Sequence, residues 1–359
     1  MQEIKFIVII MLSCIMSICG FAQNSNEQDL LKEANLGNSE AQYKMGKCLD
    51  DKKEYTQAFE WYSKAAAQGF APAECIIGYY YKNGMGVEKN TAKAFEWWSK
   101  AAAQGFAKAE YNVGTCYENG TGVEKNITKA FEWWSKAAAQ GFAQAEYNVG
   151  VCYENGMGVE KNTAKAFEWY SKAAVQGFAL AEYNVGVCYE YGTGVEKNTV
   201  EAFEWYSKAA AQGFAQAECA IGYYYENGMG VEKNIAKAFE WYSKAAAQGF
   251  AQAEYNVSIC YGNGIGVEKN NIKSCTWMSR AANNGSLDAQ IYWMKHYRER
   301  DGDASLKMKY ILLASRQGSE EAKELFRQVA GMPYAQLDST YRSKIKTYVG
   351  EYTLPTLQA

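Results

Sequence analysis

The chain reads as an all-α protein, an α/α solenoid (superhelix) of helix-loop-helix repeats 36 residues long. Three observations predict this. A glycine returns at Gly69, Gly105, Gly141, Gly177, Gly213, Gly249 and Gly285, and a tryptophan at Trp61, Trp97, Trp133, Trp169, Trp205, Trp241 and Trp277. Within each period, apolar residues fall at helical spacing in two stretches parted by a glycine-rich loop. Only three prolines, Pro72, Pro333 and Pro355, interrupt the 359 residues, so little opposes helix formation. A fixed period of this length belongs to chains in which each unit buries its apolar face against the next.

Residues 1–22 share nothing with the repeats. Lys5 precedes an apolar run from Phe6 to Ile18, and Gly20-Phe21-Ala22 offers a small-residue cleavage site. This reads as a secretory signal removed after Ala22. The run is short for a bilayer span. A lipid-anchored N-terminus and an uncleaved anchor are the alternatives, but neither Cys14 after Met11-Leu12-Ser13 nor Cys19 after Ile18 sits in a good lipobox. The expectation is an exported protein, periplasmic or extracellular, with no stable membrane span once the leader is gone.

Residues 23–36 then supply an N-terminal capping helix, EQDLLKEANL from Glu27. Residues 37–317 form the array of about eight repeats: a copy at 37–68 shorter by four loop residues, six full copies over 69–284, and a degenerate copy at 285–317. Residues 318–359 provide C-terminal capping helices, EEAKELFRQVAGM and then Tyr334 to Tyr348, and a tail. Atypical end units are expected, because terminal repeats face water.

The unit at 105–140 shows the internal logic. Ala107, Ala109, Val113, Gly114 and Tyr117 make the apolar stripe of a first helix, with Glu110, Asn112 and Glu118 between them. Asn119, Gly120, Gly122 and Val123 break it. Asn126 caps a second helix that buries Ala130, Phe131, Trp134, Ala137 and Ala138, with Trp133 at its edge. Gln140-Gly141 ends that helix. Glycine and alanine lie where helices cross, leaving Tyr117 and Trp134 to fill the gaps.

Composition excludes several kinds of chemistry. A net charge of −3 with interspersed signs offers no basic stripe for nucleic acid. His296 is the one histidine and no Cys-x-x-Cys occurs, so no metal or cofactor is expected. The recurring G-x-G (Gly84/Gly86, Gly120/Gly122, Gly156/Gly158) has no preceding strand and reads as a turn between helices rather than a phosphate cradle. Seven of the eight cysteines after the leader recur at equivalent places: Cys48, Cys116, Cys152, Cys188 and Cys260 at one position, Cys75 and Cys219 at another. Equivalent positions in neighbouring layers are too distant to bridge, so these read as small buried hydrophobes. Cys260 and Cys275, on two helices of one repeat, are the one pair placed to bridge.

The motifs A-x-x-x-x-G-x-x-Y (Ala109, Gly114, Tyr117), N-G-x-G-V from Asn119 and K-A-F-E-W-[WY]-S-K-A-A-x-x-G from Lys129 resemble the Sel-one-like repeat, a relative of the tetratricopeptide repeat with a longer loop. Tyr191 departs from it in the loop, as does Lys273-Ser274-Cys275-Thr276-Trp277 in the second helix. The resemblance implies a non-catalytic protein-protein interaction scaffold that takes a protein or peptide partner on its concave face. By tetratricopeptide geometry that face would carry a tyrosine ladder (Tyr111, Tyr147, Tyr183, Tyr255), a mainly apolar one including Val151 and Val187, and an acidic one (Glu118, Glu154, Glu190, Glu226).

Two other readings attach to the same resemblance. Cysteine-rich secreted members are linked to β-lactams or cell-wall hydrolysis, but their cysteine pairing fails here, since Ala67 and Ala211 stand eight residues before Cys75 and Cys219. The sole Ser-x-x-Lys, Ser343 to Lys346, lacks its companion motifs. A purely structural surface array is the second alternative.

Overall fold

The computed structural model describes residues 27–296 and 304–330, and among these it is helical throughout. The leader, residues 23–26, the stretch from Tyr334 to Tyr348 and the Ser343–Lys346 motif lie outside the described residues. Contacts divide the chain into two compact units, residues 1–176 and 177–359. The first holds α1 (27–35) and the hairpins α2 (Ser39–Asp51)/α3 (Tyr55–Ala67), α4 (Ala71–Asn83)/α5 (Thr91–Ala103), α6 (Ala107–Asn119)/α7 (Ile127–Ala139) and α8 (Ala143–Asn155)/α9 (Thr163–Val175). The second holds α10 (Ala179–Tyr191)/α11 (Thr199–Ala211), α12 (Ala215–Asn227)/α13 (Ile235–Ala247), α14 (Ala251–Asn263)/α15 (Asn271–Asn283), α16 (Leu287–His296), α17 (Ala304–Arg316) and α18 (Glu320–Ala330). Within each unit the second helix of a hairpin packs on the first helix of the next.

The sequence makes each corner by local hydrogen bonding. At the end of α3 the Gly69 N–H donates to Ala66 O at 2.9 Å and the Phe70 N–H to Ala65 O at 3.3 Å, the paired closure of a Schellman turn. Gly69 takes φ +77°, where a side chain would be strained. Phe70 then serves as N-cap of α4, its carbonyl accepting from Ala73 and Glu74. The longer loop closes differently. The Asn126 N–H donates to Tyr117 O at 2.8 Å, while its side chain accepts from the Lys129 N–H at 2.9 Å, so one asparagine ends the loop and starts α7.

Each hairpin is held by a bare backbone facing a ring. A β-carbon on Gly114 would collide with the Trp134 indole, and one on Gly150 with Tyr170; Gly186 and Gly222 meet Tyr206 and Tyr242 in the same way. The sixth full copy changes both partners: Ser258 replaces the glycine, donating to Ser274 O at 2.8 Å, and Met278 replaces the ring. A second close approach joins neighbouring hairpins, for a β-carbon on Gly122 would enter the Thr91 carbonyl of α5. The loop glycines are thus accounted for by packing.

The expected buried faces form in part, with Ala107, Tyr117 and Phe131 only half-buried. Ala130, Trp134, Ala137 and Ala138 are buried on α7, and Ala109, Val113, Gly114 and Cys116 on α6. The recurrent tryptophans lie at the edge and pack against the preceding core, Trp97, Trp133 and Trp169 in the first unit and Trp241 and Trp277 in the second. The outer ring face is covered by the lysine three residues on, for example Lys136 at 3.8 Å from Trp133 and Lys208 at 3.5 Å from Trp205. Such stacks contribute about 0.5–1 kcal/mol each at exposed sites.

One assignment is corrected. Glu110, read from the sequence among the polar residues of α6, is only 5% exposed. Its carboxylate accepts from Gln140 Nε2 at 2.7 Å, and the pair recurs as Glu74–Gln104, Glu146–Gln176, Glu182–Gln212 and Glu218–Gln248. Each pair clasps the two ends of one hairpin. In the last full copy Glu254 instead meets Asn284 at 2.8 Å and forms an ion pair with Arg280 at 3.0 Å. The physical reason is that a carboxylate one turn into the first helix points at the second helix's C-cap, where it finds an amide donor.

All eight described cysteines are free thiols, and Cys260 and Cys275 are not bridged, because Cys260 is buried and Cys275 faces solvent. Burial lifts Cys75 and Cys116 to about 11 and Cys152, Cys219 and Cys260 to about 12, which leaves them protonated and slow as nucleophiles. In the native protein a thiol reagent at pH 8 is expected to label Cys275 first, with those five reacting only on unfolding. Rapid native labelling at Cys152 would contradict this packing.

Burial raises the carboxyls of Glu74, Glu110, Glu146 and Glu182, opposed by the glutamine hydrogen bonds and by nearby lysines. A carboxyl raised in the fold stabilises it fully below its unfolded value and loses that contribution as pH climbs through its folded value. Thermal unfolding should therefore shift upward on acidification from pH 7 to pH 5. The gain should be smaller in the Glu74→Gln, Glu110→Gln, Glu146→Gln, Glu182→Gln variant, as scanning calorimetry of both proteins would reveal.

Candidate functional site

The inner ladders expected from sequence sit on the even-numbered first helices, α6 and α8 in the first unit and α10, α12 and α14 in the second. Their most outlying positions, Lys108, Gln144, Gln216 and Gln252, lie near the start of each helix. One turn on, Tyr111, Tyr147, Tyr183 and Tyr255 are half-buried, and their rings are used in packing. Tyr111 meets Phe142 at 5.3 Å between ring centres, Tyr147 meets Tyr170 at 5.5 Å, and Tyr183 meets both Tyr206 at 5.4 Å and Phe214 at 5.3 Å. The phenylalanine that caps one first helix thus seats against the tyrosine of the previous one. Tyr255 packs beside the core of Met278 and Ala281.

Val151 and Val187 are half-buried at the third position, and the same position holds Tyr79 and Tyr223, 50% and 47% exposed. These are the apolar groups most available to a partner.

The acidic ladder is mostly engaged inside its own hairpin. Glu154 accepts from Tyr170 Oη at 2.7 Å, Glu190 from Tyr206 Oη at 2.5 Å and Glu226 from Tyr242 Oη at 2.7 Å. Burial and then these carboxylates push the Tyr206 and Tyr242 phenols far above the ordinary range, so they remain donors. Glu118 differs because its hairpin carries Trp134, which has no hydroxyl. Burial raises the Glu118 carboxyl while Lys125 opposes the rise, and the Trp134 indole N–H is buried without a partner. In the hairpin before it, Trp98 Nε1 donates to Cys75 O at 3.0 Å.

The glutamate–tyrosine pairing was readable in the repeats themselves. Where the first helix ends in glutamate at 154, 190 and 226, the second carries tyrosine at 170, 206 and 242; Lys82 accompanies Trp98 and Gly262 accompanies Met278. Only the 107–142 copy breaks the pattern.

Among the described residues no cluster of three or more histidine, cysteine, aspartate or glutamate side chains is disposed to hold a metal. Nor is any helix among them long and apolar enough to cross a membrane. His296 is exposed and stacks on Tyr292 with ring centres 4.4 Å apart.

Hairpins of this kind, each closed by a glycine-ring contact and presenting its first helix as a side-chain face, define a tetratricopeptide-like helical repeat protein. The chain belongs to the Sel1 repeat family: residues 39–70, 71–106, 107–142, 143–178, 179–214, 215–250 and 251–286 each match the Sel1 repeat. Among solved structures it is similar to a protective antigen of uropathogenic Escherichia coli displaying an SLR fold, at 28% identity and a TM-score of 0.71, over 90% of this chain and 70% of that one. It is also similar to a Sel1 repeat protein from Oxalobacter formigenes, at 37% identity and a TM-score of 0.62, over 67% of this chain and 96% of that one. No curated protein matches.

The Glu118–Trp134 mismatch gives a direct test of the ladder's structural role. Trp134→Tyr installs the ring found in the next three hairpins and should change stability by less than about 1.5 kcal/mol, as a core exchange of similar shape does. Trp134→Ala should cost about 3–5 kcal/mol. Urea unfolding of the two variants measures the difference.

Proposed function

We propose that the protein is a non-catalytic scaffold that binds a partner protein or peptide along the side-chain face of its first helices. The observation that carries this is the exposure of Tyr79 and Tyr223 at a position the other repeats fill with Val151, Val187, Thr115 and Ile259. A solvent-facing aromatic beside aliphatic neighbours is an anchor of the kind that dominates interface energies. Membership of the Sel1 repeat family supports the same reading, since arrays of this type present extended binding surfaces. We place the protein outside the cytoplasm, on the strength of the charged, apolar and small-residue order of residues 1–22.

Position-specific photocrosslinking tests the surface. A benzophenone side chain at Val151 or Val187 in the full chain should yield one stoichiometric adduct in envelope extract. The same group at Val200, an exposed residue of α11, should not. Equal adducts at Val151 and Val200, or none at Val151 and Val187, would contradict the proposal.

A further inference from the structure

The end copies of the array close their clasps with glutamine where the inner copies use glutamate. In α2 the Gln42 head group uses both of its polar atoms. Its Oε1 accepts from Gln68 Nε2 at 2.8 Å, and its Nε2 donates to Ala34 O at 3.0 Å. Gln290 of α16 does the same, accepting from Gln317 at 2.8 Å and donating to Ala282 O at 3.0 Å. Each donation runs to a carbonyl eight residues back, on the preceding helix, and so joins a first helix to the element before it.

Glu74, Glu110 and Glu146 of the first unit stand four residues after their N-caps, as Gln42 does. Their Oε2 accepts from Gln104, Gln140 and Gln176 at 2.7 Å, the bond that Gln42 Oε1 takes from Gln68. Atom for atom, the second oxygen then replaces the amide nitrogen, opposite the carbonyl of Ala66, Ala102 or Ala138. Those carbonyls accept from Gly69, Gly105 and Gly141 N–H at 2.9 Å, whereas Gly37 and Gly285 stand off at 3.2 and 3.4 Å where a glutamine shares the acceptor. The three glutamates are only 5% exposed. An ionised carboxylate there would set one acceptor against another in a buried corner, without a donor between them.

Glu254 meets the same difficulty with a cation. Arg280 donates to its Oε1 from Nε at 3.1 Å and Nη2 at 3.0 Å, while Asn284 serves Oε2. In the first unit the charged group facing each clasp is a lysine of its own second helix, Lys100, Lys136 or Lys172, which opposes the upward pull of burial on the carboxyl. These lysines make no ion pair with the clasp. They lie over Trp97, Trp133 and Trp169, 3.7–3.9 Å from the ring centres. The second helix of the preceding hairpin adds no charged group. A proton on the second oxygen removes the conflict, because a carboxylic acid can donate where the amide of Gln42 donates.

We infer that Glu74, Glu110 and Glu146 are proton-operated ties between hairpins, each donating when protonated to the carbonyl of Ala66, Ala102 or Ala138 on the helix before it. The tie is complete where the carboxyl is protonated and is lost as pH rises through its folded value. Acid thereby tightens the joints on which the face of first helices is built, and the glutamine ends stay tied at every pH.

Replacing all three in the full chain, Glu74→Gln with Glu110→Gln and Glu146→Gln, installs the Gln42 head group permanently. The variant's urea midpoint should exceed that of the unaltered protein at pH 7.5, and the gap should narrow at pH 5. Carboxyl-carbon NMR of the glutamate-labelled protein should show three resonances, absent from the variant, that titrate above the ordinary value of about 4.3. The backbone carbonyl carbons of Ala66, Ala102 and Ala138 should shift with the same midpoints, which burial of the glutamates alone would not produce. A variant no more stable than the unaltered protein at pH 7.5, carboxyls titrating at or below the ordinary value, or alanine carbonyls unmoved through the titration would each overturn the inference.

Discussion

A glycine backbone pressed against an aromatic ring fixes the spacing of the two helices in almost every hairpin. Because Gly114 has no side chain, Trp134 can lie close against α6, while Ala109 and Val113 of α6 pack with the alanines of α5 and the alanines of α7 pack with Ala145 and Val149 of α8. Bulk concentrated in one ring, with small residues around it, sets a narrow interhelical distance that a row of leucines would not. The sixth full copy supports this dependence: once serine replaces the glycine, a flexible methionine replaces the ring.

Given that spacing, the polar groups have little choice. The buried glutamate near the start of each first helix lands on the amide that ends the second, and the tyrosine hydroxyl lands on the glutamate at the far end of the hairpin. Two hydrogen-bonded pairs at opposite ends hold such a hairpin in register, while the core between them is apolar. What the first helices leave free is set by subtraction. Their tyrosines serve packing and most of their carboxylates serve tyrosines, so exposed departures such as Tyr79, Tyr191 and Tyr223 supply the accessible chemistry.

Much of this was legible in the sequence because periodicity reports on what faces inward. The 36-residue recurrence, the Asn126 cap, the Gly141 terminator and the buried Ala130–Trp134 face all follow from spacing and cap chemistry. The buried Glu110 was not legible, since a glutamate on a helix looks solvated until the amide across the hairpin is known to lie opposite it. The acidic ladder failed to stand out for a related reason. Glu154 lies sixteen residues from Tyr170, and only the matched substitutions at Lys82/Trp98 and Gly262/Met278 betray the contact. The resemblance to tetratricopeptide geometry identified the ladder positions, but not which of them are already occupied.

The clasp between Glu110 and Gln140 begins and ends inside one period, and so does the phenol-carboxylate pair of Glu154 and Tyr170. Cutting and rejoining the gene at matching codons of two copies would therefore add or remove a whole hairpin without orphaning either pair. Array length can thus change at low structural cost, and the twin A-E-C-x-I-G-Y-Y-Y segments at Cys75 and Cys219 stand four whole periods apart, as an exchange of complete hairpins requires.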